Sequence, residues 1–282
     1  MTANPDPDRS HRTVLVTGAN SGIGLETTLE LARRGYHAVG TVRSKPKAVV
    51  VRRAAEAAGV EVDTLQLDVT DAAGCERTLS GLQLYGLVNN AGYALTGAIE
   101  DVGDDEARDL FETMVFAPMR LARLALPGMR AGGGGRIVNI SSIAGLVSSP
   151  LAGWYTGAKH ALEALTDALR IEVAGAGVVV TLVEPGGFKT GIWEDMTRDI
   201  DRHRQAGSRH TPAYERSRQL QKLMEPIMGS PSQCAKVIAG AIDARIPRPR
   251  YLVGLDAQAM RLGDRLTPDL VQDRILRLVL GL

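Results

Sequence analysis

The chain reads Thr13-Val14-Leu15-Val16-Thr17-Gly18-Ala19-Asn20-Ser21-Gly22-Ile23-Gly24 near its N-terminus. A short β-rich run meets a glycine-rich turn there, and a helix is predicted over residues 23–34. Gly18 would permit the tight turn, Gly22 would let the backbone approach a pyrophosphate, and Gly24 would let helix and strand pack closely. The free N–H groups at the start of the helix would then face the phosphates.

The spacing of this turn is G-x-x-x-G-x-G, not the G-x-G-x-x-G of most dinucleotide folds. Alone it is weak evidence, and a structural turn without a ligand is the alternative. Its place between the first strand and the first helix of an alternating chain favours a cofactor site. We therefore predict cofactor contacts from Gly18, Asn20, Ser21, Gly22, Ile23 and Gly24.

Strand-like and helix-like stretches alternate from this turn onward. Strands are predicted at residues 13–17, 36–42, 60–67, 86–89, 136–140 and 178–183, and helices at 23–34, 47–58, 71–82, 104–130 and 154–174. Strands separated by helices imply right-handed βαβ units. The sequence thus predicts an α/β fold, a Rossmann-type doubly wound parallel sheet flanked by helices.

The pattern changes after Pro185. Residues 191–229 are polar, charged and weakly periodic, as in a mobile lid, and a helix (232–244) and a short strand (251–253) follow. Residues 266–282 are amphipathic and are expected to pack on the domain or on a partner subunit. We predict a disordered leader at residues 1–12 and a single domain at 13–282. Within it, residues 190–230 would form a substrate lid and 231–282 the C-terminal helices and strand.

Composition narrows the class of protein. The 282 residues are 44% hydrophobic but only 4% aromatic, as expected for buried parallel strands and their covering helices. A net charge of +1 gives no indication of a nucleic-acid or membrane-surface partner. Cys75 and Cys234 lie far apart and form no metal or redox motif, so two reduced thiols are expected. With no apolar run long enough to span a membrane, we predict a soluble, cytoplasmic protein without a metal site.

A tyrosine and a lysine carry the predicted chemistry. Tyr155 and Lys159 stand four residues apart and would share one face of a helix. An ammonium beside a phenol lowers the pKa of the phenol, which can then exchange a proton. Ser142 lies upstream, where its hydroxyl could meet the same reacting oxygen. Alone, Tyr-x-x-x-Lys is common by chance, and an ordinary exposed helix face is the alternative.

Two further loops would lie at the carboxyl ends of strands, where open α/β sheets bind ligands. In Leu67-Asp68-Val69, the carboxylate could accept hydrogen bonds from an adenine amino group. In Asn89-Asn90-Ala91-Gly92, the amides could hold the loop and the ribose. An Asx turn that closes a strand would explain each loop equally well.

The end of the second predicted strand decides between the two nicotinamide cofactors. An acidic residue there would bind a ribose 2′-hydroxyl, but this chain has Arg43, followed by Ser44 and Lys45. Arg43 can form charge-assisted bonds to a 2′-phosphate, with Ser21 or Ser44 as partners. Arg43 therefore favours NADP over NAD. The alternative is that Arg43 is an ordinary solvated cation on the surface.

Together these motifs resemble the short-chain dehydrogenase/reductase family. The matching residues run in order from 13 to about 190: the glycine turn, Asp68, Asn89 to Gly92, Ser142, Tyr155, Lys159, Pro185 and Gly186. The resemblance implies Tyr155 as acid/base and Lys159 as its pKa-lowering neighbour and a ligand of the nicotinamide ribose. It implies that Ser142 orients the substrate oxygen and that Pro185, Gly186 and Thr190 lie against the nicotinamide. The chain is most similar to members acting on steroids, retinoids and related lipophilic alcohols.

One position departs from the family pattern. Members usually have an asparagine where this chain has Met114, in the run Met114-Val115-Phe116-Ala117-Pro118. That asparagine is thought to hold a water linking the lysine to solvent, and a thioether cannot replace its donors and acceptors. Two outcomes stay open: a working enzyme with another proton route, or a cofactor-binding sensor or regulatory protein with weak turnover. Met114 can also be explained without any role in catalysis, as a side chain that simply fills the core.

The predicted activity is hydride transfer between a nicotinamide and the carbonyl or alcohol carbon of a lipophilic ketone or secondary alcohol. The candidate substrate-lining residues are Tyr93, Leu95, residues 147–151 including Val147, Trp154, Phe188, Ile192 and Trp193. Glu184 is interpreted as a loop residue without a chemical role. A third interpretation is a sugar- or nucleotide-modifying enzyme on the same fold. Such an enzyme would be expected to need more polar residues in its pocket than this chain has after Pro185. The long predicted helices could pair between subunits, and the family resemblance implies a homodimer or homotetramer.

Overall fold

The computed structural model describes residues 9–282 and contains one seven-stranded parallel sheet. The strands are β1 (Thr13–Val16), β2 (His37–Val42), β3 (Asp63–Gln66), β4 (Gly86–Asn89), β5 (Gly135–Ile140), β6 (Val178–Pro185) and β7 (Arg250–Val253). Their spatial order is β3-β2-β1-β4-β5-β6-β7. Because β1 lies between β2 and β4, the order reverses at β1, and a ligand crevice is expected at its carboxyl end. The predicted α/β doubly wound fold is confirmed.

Eleven α-helices accompany the sheet in the described part of the chain. They are α1 (Gly22–Arg33), α2 (Lys45–Ala58), α3 (Ala72–Leu79), α4 (Asp104–Phe111), α5 (Ala117–Ala131), α6 (Gly153–Glu172), α7 (Ile192–Gln205), α8 (Thr211–Met224), α9 (Pro231–Asp243), α10 (Leu255–Leu266) and α11 (Asp269–Leu280). Successive strand residues point to opposite faces, so both faces of the sheet are buried. Leu15 packs with α3 and α5 on one face, whereas Val14 and Val16 pack with α1 and α9 on the other.

The helix predicted over residues 104–130 is interrupted. A π-helical turn (Glu112–Phe116) separates α4 from α5 and buries Met114 and Val115. Pro118 has no N–H to donate to the carbonyl of Met114, four residues earlier, so the regular ladder cannot continue there. The departure from the family pattern thus coincides with an irregular turn of the backbone.

The segment predicted as an irregular lid, residues 191–229, is mostly helical. It forms α7 and α8, and Ile200 and Tyr214 on these helices are fully buried. The weak periodicity arises because much of α7 is polar. Ion pairs three residues apart join Asp195 to Arg198, Asp199 to Arg202 and Asp201 to Arg204 on its surface.

Both ends of the chain also differ from expectation. Residues 1–8 of the predicted leader lie outside the described residues. Arg9–His11 form a short 3-10 turn, and Arg9 lies 3.3 Å from the Asp243 carboxylate. At the C-terminus α10 begins earlier than the predicted amphipathic stretch, and Pro268 separates it from α11. Leu270 and Leu278 of α11 are about three-quarters exposed or more. No helix within residues 9–282 is both long and apolar enough to cross a membrane.

Candidate active site

The glycine turn has the shape that a dinucleotide phosphate needs. Gly18 (φ +68°) and Gly22 (φ +53°) adopt the left-handed conformation that glycine tolerates best. A Cβ on Gly18 would lie 2.9 Å from the backbone of Ala91, and one on Gly24 would collide with the Asn90 amide. Ser21 caps α1 in an extended conformation and makes no side-chain hydrogen bond to the first turn. The first N–H groups of α1 therefore remain available, and these residues fit a bound pyrophosphate.

The loop after β4 holds the glycine turn in place. The Asn90 Nδ2 donates to the Thr17 carbonyl over 2.9 Å, and the backbone N–H groups of Asn90 and Ala91 donate to the Thr17 hydroxyl over 2.9 and 3.0 Å. These bonds tie the carboxyl ends of β1 and β4 together. They place Asn90, Ala91 and Gly92 on the wall of the same cavity as the glycine turn.

Charged groups line the other end of this cavity. Arg43 directly follows β2 and makes no ion pair with residues 9–282, while Lys47 lines the same wall from α2. Asp68 accepts hydrogen bonds from the Thr70 N–H and hydroxyl over 3.0 and 2.7 Å. Burial acts to raise the pKa of Asp68, but these bonds and the Arg43 charge hold it below its ordinary value. Asp68 therefore closes an Asx turn, with Val69 beside it on the cavity wall.

Ser142, Tyr155 and Lys159 lie together on the wall of this cavity. The Lys159 Nζ stands 5.8 Å from the centroid of the Tyr155 ring and donates to the Ile140 carbonyl over 2.8 Å. The Ser142 hydroxyl accepts from the Ala144 N–H over 3.1 Å, which fixes its place above the end of β5. An ammonium has three donors, so two remain after the bond to Ile140.

The pKa shifts differ from the simple expectation for a phenol beside an ammonium. Burial raises the pKa of Tyr155, and the Ser142 hydroxyl only partly opposes that rise. Burial also lowers the pKa of Lys159 to about 8, against the opposing charge of Glu163. In the protein alone, therefore, burial outweighs the groups that would acidify the tyrosine. A further positive charge beside the ring, such as an oxidised nicotinamide, would favour the phenolate.

The loop after β6 lies against the glycine turn. A Cβ on Gly22 would touch the Thr190 side chain at 3.2 Å. The Gly186 N–H donates to the Val253 carbonyl over 2.9 Å, and the Gly187 N–H donates to the Asp256 carboxylate over 2.5 Å. The predicted residues Pro185, Gly186 and Thr190 thus share the cavity with Tyr155 and Lys159.

The cavity has a volume of about 1230 Å³. Of the predicted substrate residues, Tyr93, Leu95, Phe188, Ile192 and Trp193 line it. Sequence reasoning missed a group of apolar residues from the C-terminal third. They are Met196 on α7, Met224 on α8, Ile227 and Met228 after α8, and Met260 on α10. Their segments showed no clear periodicity, and only the abundance of methionine there hinted at a pocket.

Other predicted substrate residues lie elsewhere. Val147 is buried against Ile143 and Ala257, and Leu151 packs in a separate cluster. Trp154 meets Phe111 edge-on, with ring centroids 6.4 Å apart. Within residues 147–151 only Ser149 lines the cavity. The predictions for Val147 and Trp154 are therefore corrected: both residues pack between elements.

Glu184 is likewise not a loop residue. It belongs to β6, is fully buried, and contacts Arg250 of β7. Glu163 of α6, 5% exposed, contacts the same arginine. Nothing in the sequence pattern of α6 or β6 predicts that these two carboxyls meet.

Comparison with known proteins agrees with this geometry. Residues 12–201 match the family model described as short chain dehydrogenase. A crystal structure of a short-chain dehydrogenase from Streptomyces avermitilis is 32% identical, with a TM-score of 0.77 and 94% of each chain covered.

Two curated relatives are also similar. An NADPH-dependent 3-dehydrocapnine reductase of Ornithobacterium rhinotracheale is 32% identical, covering 94% of this chain and 95% of its own. Retinol dehydrogenase 8 of Bos taurus is 32% identical, covering 84% of this chain and 79% of its own. The chain therefore belongs to the short-chain dehydrogenase/reductase family. It is an NAD(P)-dependent oxidoreductase that acts on CH–OH or C=O groups.

Proposed function

We propose that this protein is an NADP-dependent oxidoreductase of a lipophilic ketone or secondary alcohol, with Ser142, Tyr155 and Lys159 as its catalytic residues. The observation that carries the proposal is their position in one cavity with the glycine turn. When bound, NADPH would supply the hydride, or NADP⁺ would accept it. The residues of the protein would position the substrate and move the proton.

In the direction of reduction, the Tyr155 hydroxyl gives its proton to the substrate oxygen, and Ser142 donates a hydrogen bond to the same oxygen. The Lys159 ammonium stabilises the resulting phenolate and has two N–H donors free for other partners. In the direction of oxidation, the same phenolate accepts the proton of the alcohol. The bond from Lys159 to the Ile140 carbonyl keeps the ammonium beside the ring in both directions.

The preference for NADP rests on Arg43 and Lys47, two cations on the wall beside the end of β2. A 2′-phosphate would be favoured there by charge-assisted bonds. A relative 32% identical over nearly the whole chain is named for its use of NADPH. NAD is the less favoured cofactor.

The preference for a lipophilic substrate rests on the apolar residues around the catalytic end of the cavity. Phe188, Trp193, Met224, Ile227 and Met260 contribute to its wall. Methionine side chains adapt to irregular apolar shapes, so this wall would accommodate bulky hydrocarbon groups. A retinol dehydrogenase among the relatives agrees with a substrate of this kind.

The test is consumption of NADPH with a panel of apolar ketones, compared between the wild type and Tyr155→Phe. We expect turnover to fall by about 10²–10⁴-fold in the variant, the usual contribution of a positioned acid. NADPH binding, followed by fluorescence, should change little. A Tyr155→Phe variant with undiminished turnover would refute the assignment. Absence of turnover in the wild type with normal NADPH binding would favour the alternative, a cofactor-binding sensor, for which Met114 is the motivating observation.

We further propose that the protein acts in the cytoplasm as a homodimer or homotetramer. Its two cysteines, Cys75 and Cys234, are buried free thiols, as reducing compartments favour. Apolar residues remain exposed on the helices expected to pair, including Phe116 on the π-helical turn and Leu165 and Ile171 on α6. Light scattering coupled to size exclusion would show a mass of two or four chains, and a monomer at micromolar concentration would contradict this assignment.

A further inference from the structure

Two buried carboxyls lie behind Lys159, outside the catalytic residues named above. Glu163 of α6 and Glu184 of β6 are 5% and 0% exposed. Both contact one side chain from β7: the Arg250 Nε lies 3.2 Å from the Glu163 Oε2 and 3.1 Å from the Glu184 Oε1. Carboxyls so deeply buried rarely remain charged together, and two facing one another commonly share a proton. We call Glu163 and Glu184 the glutamate pair.

The oxygen atoms of the glutamate pair leave room for one shared proton. Arg250 also binds Asp167 of α6, and the Arg261 Nη1 of α10 lies 3.6 Å from the Glu184 Oε2. Arg170 lies 2.8 Å from the Asp167 carboxylate, so three carboxyls face three guanidiniums, and Arg250 is shared among all three carboxyls. Among residues 9–282, the Glu163 Oε1, both Glu184 oxygens and the Ser141 hydroxyl lack a well-aligned hydrogen-bond partner. A proton held between the two carboxyls would give these atoms a donor.

The pKa of both carboxyls of the glutamate pair is raised, and that of Glu184 lies near neutral pH. Burial raises the pKa of both carboxyls, and for Glu184 the charge of Glu163 adds to the rise, to about 7. Arg250 and Arg261 oppose the shift at Glu184, and Arg250 and Ser141 oppose it at Glu163. The pair can therefore both hold and release a proton at physiological pH.

One member of the glutamate pair lies on the same helix as the catalytic lysine and acts on its charge. Glu163 stands four residues after Lys159 on α6, so the two side chains share one helix face, and the Glu163 charge acts on the ammonium. On the neighbouring loop is Gly145, where a Cβ would lie 2.6 Å from the Ser141 Oγ and 3.0 Å from the Glu163 Cγ. The loop thus passes close to the carboxyl without inserting a side chain there.

At the position of the family asparagine, the described part of the chain offers no comparable proton carrier. Met114 is 3% exposed and packs on Gly92, where a Cβ would lie 3.3 Å from its Cε. Its thioether donates no proton and accepts hydrogen bonds weakly. If the lysine exchanges protons with solvent during turnover, that exchange needs another route.

We propose that the glutamate pair supplies and takes up the proton of the reaction through Lys159, in place of the asparagine route. The proposal rests on the proposed function of Tyr155 and Lys159. Neither carboxyl touches substrate; both act through the lysine, as positioning residues. Arg250 and Arg261 are 27% and 29% exposed, so the two arginines that contact Glu184 both extend to the protein surface.

The proton steps balance in either direction. In reduction, the Tyr155 O–H bond breaks as the substrate O–H bond forms, and a Lys159 N–H bond breaks as the Tyr155 O–H bond is restored. The shared carboxyl O–H bond then breaks as the Lys159 N–H bond is restored, and water returns one proton to the pair. The electron pair transferred to the carbonyl carbon comes from NADPH, the co-substrate of the proposed function.

The first test needs neither cofactor nor turnover. In protein labelled with ¹³C at the glutamate carboxyls, the signals of Glu163 and Glu184 are assigned from the Glu163→Gln and Glu184→Gln variants and followed from pH 4 to 9. We expect one proton on the pair near pH 7, and a lower pKa for Glu184 once Glu163 is replaced by Gln. Titration of both carboxyls below about pH 5.5 in the wild type would overturn the proposal.

The second test is kinetic. In Glu163→Gln we expect kcat for reduction to fall about tenfold or more with KM for the ketone little changed. The alkaline limb of the pH profile should move down by roughly one unit, because the ammonium loses its neighbouring negative charge. Adding Met114→Asn to Glu163→Gln should restore much of the rate by providing the other route. Asp167→Asn is the matched control: it removes a carboxylate from the same arginine but leaves the pair.

The outcomes separate this proposal from the proposed function. If Tyr155→Phe is inactive while Glu163→Gln keeps the wild-type rate and pH profile, the proton route is refuted and the catalytic assignment stands. A loss that Met114→Asn does not repair, or that Asp167→Asn reproduces, would give Glu163 a structural role and equally refute the route. If Tyr155→Phe stays active, the proposed function fails, whatever the carboxyl titration shows.

Discussion

At the scale of single residues, Arg43 is the clearest determinant of cofactor choice. Its guanidinium lines the cavity without an ion pair to residues 9–282. A charge-assisted hydrogen bond to a phosphate contributes about 1.5–3 kcal/mol. Replacing Arg43 with Ala should therefore raise KM for NADPH by roughly ten- to a hundredfold and leave KM for NADH almost unchanged. Steady-state kinetics with both cofactors measures this.

Arg53 provides the control for that experiment. It is exposed on α2 and does not line the cavity. Arg53→Ala should leave both cofactor constants at their wild-type values, since it changes the surface charge by the same amount. Equal losses for NADPH and NADH in Arg43→Ala would show that the side chain supports the fold of the loop and does not select the phosphate.

At the scale of elements, one tyrosine anchors α8 to the loop before α4. The Tyr214 hydroxyl accepts from the Ala98 N–H and donates to the Asp101 carboxylate, each over 2.7 Å, and its ring stacks on His203 of α7 at 5.5 Å. Tyr214→Phe would leave a buried N–H and a carboxylate without this partner, which costs about 1–3 kcal/mol. We expect the melting temperature to fall by roughly 2–8 °C.

The matched variant is Tyr251→Phe, which removes a hydroxyl that accepts one exposed backbone N–H, from Arg248. Its melting temperature should stay close to the wild-type value. Because α7 and α8 carry Trp193, Met196 and Met224 of the cavity wall, Tyr214→Phe should also raise KM for the ketone. A Tyr214→Phe protein as stable as Tyr251→Phe would show that α8 is held mainly by apolar packing.

The helices and strands also show how much of the structure can be predicted from the sequence. The strands, the glycine turn and the meeting of Ser142, Tyr155 and Lys159 follow from local patterns, because parallel strands bring their carboxyl ends to one edge. The long fourth helix is predicted without its π-helical turn. Pro118 cannot donate a hydrogen bond to the Met114 carbonyl, but the hydrophobic pattern of the sequence does not show how the backbone adjusts to that missing bond. The helices α7 and α8 were missed because ion pairs, rather than an apolar stripe, cover the surface of α7.

Contacts between distant segments were beyond prediction. Glu163, Glu184 and Arg250 come from α6, β6 and β7, and each looks ordinary in its own element. Trp154 and Val147 are predicted to line an apolar pocket, yet in the structure they pack in other clusters. The order of strands β5, β6 and β7 places the three charged residues together, and a single sequence does not fix that order.

At the scale of the whole molecule, the buried charges behind the catalytic lysine make stability depend on pH. The ordinary pKa of a glutamate is near 4.5, whereas burial and the Glu163 charge raise that of Glu184 to about 7. The folded state thus binds a proton more tightly than the unfolded chain. Its stabilising contribution is complete below pH 4.5 and is lost as pH rises through 7.

Replacing Glu184 with Gln removes this titration. Between pH 4.5 and 8 the free energy of unfolding of the wild type should fall, relative to that of Glu184→Gln, by roughly 1–3 kcal/mol. Urea denaturation at closely spaced pH values measures the difference. Glu56→Gln on the exposed face of α2 is the control and should track the wild type across the range. If the wild type and Glu184→Gln instead give parallel curves, Glu184 is charged throughout, and Arg250 and Arg261 together neutralise it.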